Sequence, residues 1–125
     1  MAVKWLDAPE DHDYDAAADY LSLVAEADAV AKTVDALKTA EPVLRKAKDI
    51  LRAARLTLLA DSNPRVKTGL AKIAADKRLS PILLVRGKVL DGIALEIADG
   101  YHRVCASYLT EENTPVPCRL VSWQS

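Results

Sequence analysis

The chain has 125 residues, half of them apolar, which fits one domain able to bury its own core without metal or disulfide staples. Its 17 basic and 18 acidic side chains leave a net charge of −1, so overall charge draws it neither to DNA nor to an anionic membrane surface. No apolar run has the length of a membrane-spanning helix, and Met1-Ala2-Val3-Lys4-Trp5 leads straight into an acidic stretch without an apolar leader; the expectation is a cytoplasmic protein with no membrane partner.

Residues 1–13 are acidic, contain Pro9, and read as an irregular arm. His12 lies among Asp11, Asp13 and Asp15, and this cluster reads as a solvated lead-in rather than a metal site. Over residues 14–25 the pattern turns helical, with Ala17, Tyr20, Leu21 and Val24 on one apolar face and Asp13 or Asp15 as the cap. Residues 28–40 predict a second helix, with Val30, Val34 and Leu37 inward, that ends before Pro42. The two form a helical hairpin whose stripe must be buried on the rest of the chain. Residues 43–46 are expected to be extended. Residues 48–54 return to helix with Ile50 and Leu51 inward, and Leu56-Thr57-Leu58-Leu59 is an apolar run of strand length. Asp61-Ser62-Asn63-Pro64 marks a turn and a helix start, and Val66, Leu70 and Ile73 give that helix its buried face, weakened by Gly69.

The last third changes character. Pro81-Ile82-Leu83-Leu84-Val85 is a continuous apolar run, the signature of a strand covered on both faces. A turn with a hairpin follows over residues 87–92, a strand over 93–98, a helix over 101–109, a loop over 111–115 and a closing strand over 116–123. Strands alternating with helices predict a mixed α/β (α+β) fold: a small mixed sheet flanked by helices. The two cysteines, Cys105 and Cys118, lack metal-ligand or redox spacing and read as small buried hydrophobes.

The chemistry concentrates at Asp99-Gly100-Tyr101-His102-Arg103, where a buried strand ends and a helix begins at once. A helix start offers N–H groups without internal acceptors and the positive end of a dipole, a ready anion site. Gly100 lets a ligand approach the backbone, Arg103 can grip phosphate with two parallel hydrogen bonds, and His102 adds a donor or a proton carrier near neutral pH. Asp99 has three readings: a helix cap, a Mg²⁺ ligand, or a base for a substrate hydroxyl.

Residues 56–121 resemble the ParB/sulfiredoxin superfamily. The resemblance rests on the Pro81–Val85 run, on Ile97-Ala98-Asp99-Gly100-Tyr101-His102-Arg103 with Ala106, and on Val116-Pro117-Cys118-Arg119-Leu120-Val121. Asn63-Pro64-Arg65 stands where that family has its first conserved box. The motif is closest to the Asp-Gly-His-His-Arg of the free serine kinases. The resemblance implies a core over 56–125, with residues 1–55 as an arm and helices packed on it in one compact domain. It also implies that Gly100, Tyr101, His102 and Arg103 form a nucleotide-phosphate site, that Mg²⁺ accompanies ATP or CTP, and that Asp99 and Asp61 are the catalytic carboxylates, Asp61 standing for the family's upstream Glu. Tyr101 occupies the position of the sulfiredoxin catalytic Cys, so that activity is not expected.

Three readings follow: a nucleotide-dependent kinase or nucleotide hydrolase whose ligand is a nucleotide or phosphorylated small molecule; a non-catalytic regulatory module, antitoxin-like, binding a protein partner or forming a homodimer through its amino-terminal helices; and, ranked last, nucleic-acid binding through Arg45, Lys46, Lys48, Arg52 and Arg55, a cluster that reads as a solvated surface.

Overall fold

The computed structural model describes residues 2–125; Met1 of the predicted arm lies outside them. The chain runs β1 (Lys4–Trp5), α1 (Asp11–Leu21), α2 (Ala27–Thr39), β2 (Val43–Lys46), α3 (Ala47–Ala54), α4 (Pro64–Ala74), β3 (Arg78–Leu79), β4 (Ile82–Val85), a 3-10 turn (Val89–Asp91), β5 (Glu96–Asp99), α5 (Tyr101–Thr110) and β6 (Pro115–Val121). A four-stranded sheet in the order β2-β6-β4-β5 forms the middle layer, and β1 pairs with β3 in a separate parallel ribbon. β4 and β6 are parallel, while β2 and β5 run antiparallel to their neighbours. This is the expected mixed α/β fold. No described helix is long and apolar enough to cross a membrane.

β4 explains the layering. Side chains alternate along a strand, so Ile82 and Leu84 face one way and Leu83 and Val85 the other. Ile82 and Leu84 join Ile50, Leu51, Val66, Ile73 and Val104 in the core beneath α3, α4 and α5. Leu83 and Val85 meet Ala17, Leu21, Val30, Val34 and Leu37 of α1 and α2. Each face is covered, which is why the run is apolar without interruption. Burying one Leu or Val side chain contributes about 1.5–3 kcal/mol, so this four-residue strand anchors both layers.

The helical hairpin forms as expected, with corrections at its ends. α1 starts at Asp11, and Glu10 is the cap. The Glu10 N–H donates to Asp13 Oδ2 at 2.8 Å in a reciprocal capping box, so Asp13 lies inside the helix and is buried. The helix closes at Leu21, where the Ser22 hydroxyl donates back to Asp19 O. Val24 therefore falls in the turn, 50% exposed, and Tyr20 stands at 39% rather than on the buried face. The arm before α1 is ordered by β1 pairing with β3.

Residues 56–59 are not a strand. Leu58 and Leu59 pack against the main core as single side chains, and their backbone has no ladder partner. The later strand begins at Glu96, three residues after the predicted start, because Ile93 is spent on the hairpin neck: Lys88 N–H and Ile93 O are 2.9 Å apart. β2 and α3, which precede residue 56, belong to the main sheet and core together with the elements that follow. Both cysteines are free and buried, as expected.

Candidate functional site

The sheet positions the site through one irregularity. Leu84 pairs with Ile97, but Leu83 pairs with Asp99, so Ala98 is an extra residue at the end of β5. Such a bulge turns the following side chain out of the regular alternation. Gly100 then reverses the chain with φ +112° and α5 begins at Tyr101. A Cβ at Gly100 would lie 2.3 Å from Cδ1 of the buried Ile82, so backbone angle and packing both demand glycine.

The junction opens into a cleft of about 860 Å³. Its floor is residues 95–103. His12, Ala16 and Tyr20 of α1, at four-residue spacing, form one wall. The opposite wall is the i, i+3, i+4, i+7 stripe of α4: Arg65, Thr68, Gly69 and Lys72. Gly69 is the contact that brings this wall in, since a Cβ there would stand 3.0 Å from Ala106 Cβ on α5. It is a close-packing residue rather than a weak point.

Four of the expected site residues gather here with Asp99, in different roles. Arg103 is a strut: its Nε donates to Ser80 O at 3.0 Å, and Nη2 donates to Pro81 O at 3.3 Å and to Asp99 Oδ2 at 2.8 Å. The pair ties the β5–α5 junction to the segment entering β4, with side chains only 22% and 16% exposed. Tyr101 donates its hydroxyl to Thr57 O and tethers the 56–59 segment. His102 stands beside the Tyr101 ring; burial lowers its pKa below the ordinary value, with Arg65 and Arg103 adding to the effect. Gly100 shapes the turn. Asp61 is exposed in the turn before α4 and does not line the cleft.

Asp99 was expected to hold Mg²⁺ or act as a base. Burial raises its pKa, the Arg103 guanidinium opposes that rise, and the Asp13 carboxylate adds to it. Asp99 thus already receives the Arg103 guanidinium and lies beside the buried Asp13 carboxylate. Glu10, His12 and Asp13 also sit within 4.8 Å of one another, but Glu10 and Asp13 are engaged in the α1 capping box.

The residues that sequence reading missed are Arg65 and Lys72. Among the described residues neither pairs with a carboxylate, whereas Asp99 is paired with Arg103 and Glu96 accepts from the Tyr20 hydroxyl. The cleft thus holds two cations without a carboxylate partner together with the start of α5, whose first-turn N–H groups have no acceptor within the helix. Their stripe adjoins the apolar Val66/Ile73 stripe and was visible as a periodic polar face. Tyr20 of α1, its pKa pushed up to about 12 by burial and Glu96, completes the rim.

No protein-family model, no curated protein and no solved structure matches this chain.

Proposed function

We propose that the protein binds a phosphorylated ligand, of the nucleotide class, in the β5–α5 cleft. The observation that carries this reading is the meeting of a helix amino terminus with the unpaired cations of α4. Tyr101, His102 and Arg103 supply backbone N–H groups, Arg65 and Lys72 supply mobile charge, and Arg103 holds the junction in shape without gripping the anion. The ParB/sulfiredoxin resemblance of Asp99-Gly100-Tyr101-His102-Arg103 supports the same ligand class, with ATP and CTP as the first candidates. Any Mg²⁺ arrives bound to the nucleotide phosphates.

Binding without chemistry is favoured over phosphoryl transfer or hydrolysis. Asp61 is outside the cleft, and Asp99 is committed to Arg103. A regulatory module that senses a nucleotide fits this arrangement, and α1, which forms a cleft wall, is the element through which occupancy would reach a protein partner or a second copy. A cytoplasmic setting fits a nucleotide ligand and two free thiols.

The test is an amide NMR titration with inorganic phosphate, ATP and CTP. The expected result is saturable shifts at Tyr101, His102 and Arg103 that disappear in Arg65→Ala/Lys72→Ala. Shifts absent from Tyr101, His102 and Arg103, or shifts at those three residues that survive the double substitution, would contradict the proposal.

A further inference from the structure

A second cavity, of about 670 Å³, lies between α3 and the β4–β5 hairpin. It shares only Leu95 with the cleft described above, so it is a separate site. Its floor is aliphatic: Ile50, Leu84, Leu95 and Leu120. Its rim carries four arginines, Arg45 from β2, Arg52 and Arg55 from α3 and its cap, and Arg86 from the end of β4. Chain segments forty residues apart therefore bring guanidinium groups to one opening.

The charges around this rim are not balanced. Among the described residues Asp49 is the single carboxylate of the lining, 3.8 Å from Arg52 Nη2 and 3.5 Å from Lys48 Nζ, and so divided between two cations. Arg45 donates to the neighbouring Leu44 O and Arg55 to Gly92 O, both uncharged acceptors. Among the described residues the Arg86 side chain has no hydrogen-bond or ion-pair partner. Like charges around a low-dielectric floor repel one another, and an anion seated between them removes that cost.

The walls are held in place before any ligand arrives. Leu95 N–H donates to Ala53 O at 3.2 Å, joining the hairpin to α3. A Cβ at Gly87 would lie 2.2 Å from Ile93 O, so the neck of the hairpin closes only around glycine. Arg55 holds φ 56° at the end of α3, a left-handed position where glycine is the usual residue. The residue found there instead carries a guanidinium to the rim.

We propose that this cavity binds a small amphipathic anion: an apolar body of one or two rings, or a short aliphatic chain, carrying a phosphate, carboxylate or sulfonate head. The volume lies within the range of small-molecule sites, about 300–1,000 Å³. The aliphatic floor takes the body, and the planar forks of arginine suit an oxyanion head. Among the described residues no aromatic side chain lines the cavity, which disfavours single-stranded nucleic acid, because such sites stack bases on aromatic rings. The basic cluster of residues 45–55 gains a role in this way: Arg45, Arg52 and Arg55 are three of the four rim arginines.

The experiment is calorimetric titration of the full chain with 1-naphthyl phosphate, 1-naphthol and inorganic phosphate. The proteins are wild type, Arg45→Gln/Arg86→Gln and the cleft variant Arg65→Gln/Lys72→Gln. The expected result, read in the cleft variant where the first site no longer contributes, is one naphthyl phosphate site at least tenfold tighter than either naphthol or inorganic phosphate. It should weaken at least tenfold in the Arg45/Arg86 variant and persist in the cleft variant. Arg52→Glu, at a side chain 85% exposed, provides a second rim substitution that leaves the fold untouched and should weaken binding in the same direction. Naphthyl phosphate binding no tighter than inorganic phosphate overturns the proposal. So does binding lost in the cleft variant but kept when the rim arginines are changed.

Discussion

Replacing Gly100 with alanine should destabilise the protein by about 3 kcal/mol through two separable effects. At φ +112° the residue lies beyond the left-handed region open to L-residues, and holding alanine near it costs about 1–2 kcal/mol. The new Cβ would also stand 2.3 Å from Cδ1 of Ile82, which is fully buried, and overpacking of this kind costs about 1–3 kcal/mol. Unfolding entropy near 60 °C is about 2.1 cal/mol/K per residue, so for 125 residues the loss corresponds to about 11 °C in Tm. Calorimetric melts of two further variants separate the effects. Gly92→Ala has φ +72° but nothing within 4 Å of its Cβ, so it should lose only the conformational part, about 1 kcal/mol or about 4 °C. Ile82→Val removes the Cδ1 contact, so combined with Gly100→Ala it should cost clearly less than the two single changes added together. A Gly100→Ala melt within 2 °C of wild type, or strict additivity with Ile82→Val, would refute this reasoning.

Arg103→Lys keeps the charge but loses the fork that spans Ser80 O, Pro81 O and Asp99; thermal melts should show a loss of about 1–2 kcal/mol, and Arg103→Gln, which leaves Asp99 unpaired, about 2–3 kcal/mol. Because Asp99 has a raised pKa in the folded state, the folded protein binds the proton more tightly than the unfolded chain. Stability from this group is therefore full below about pH 3.9 and falls as pH rises through the folded pKa, and Asp99→Asn should flatten that portion of a urea-denaturation pH series. His102 titrates below its ordinary value, so sulfate, whose charge is constant from pH 5 to 8, should bind roughly fivefold tighter as pH drops below about 6.5. His102→Gln should remove most of that gain, with His12→Gln as the control for the other cleft histidine. Asp61→Ala should leave phosphate affinity within about twofold, since this side chain is outside the cleft.

The layered fold was legible because its signals are local and strong. The Pro81–Val85 run, Asn63-Pro64 at a helix start and the Val30/Val34/Leu37 stripe each permit one structure, and Asn63 does cap α4 by accepting from the Arg65 and Val66 N–H groups. Leu56–Leu59 misled because a short apolar run reads alike whether it joins a ladder or merely lends side chains to a core. The Asp99–Arg103 stretch was found from its residue types, but their roles were hidden. Whether Arg103 faces a ligand or the Ser80 and Pro81 carbonyls depends on where β4 is entered, a contact more than twenty residues away in sequence. Arg65 and Lys72 were missed for the complementary reason. On a helix read alone they are ordinary surface cations, and only the packing of α4 on α5, close at Gly69 and Ala106, makes their face a wall of the cleft that holds the start of α5. The capping box that buries Asp13 was likewise invisible, because Glu10 is not a customary cap residue.

Phosphate recognition by α4 cations rather than by Arg103 is tested most directly by calorimetry with CTP and ATP, with Mg²⁺ present and absent, on wild type, Arg65→Ala/Lys72→Ala and Arg103→Lys. Nucleotide binding abolished by the Arg65/Lys72 change in a fully folded protein, and weakened in Arg103→Lys only as far as its stability falls, is the predicted result. Nucleotide binding that ignores Arg65 and Lys72, or an absence of binding to wild type under every condition, would contradict it.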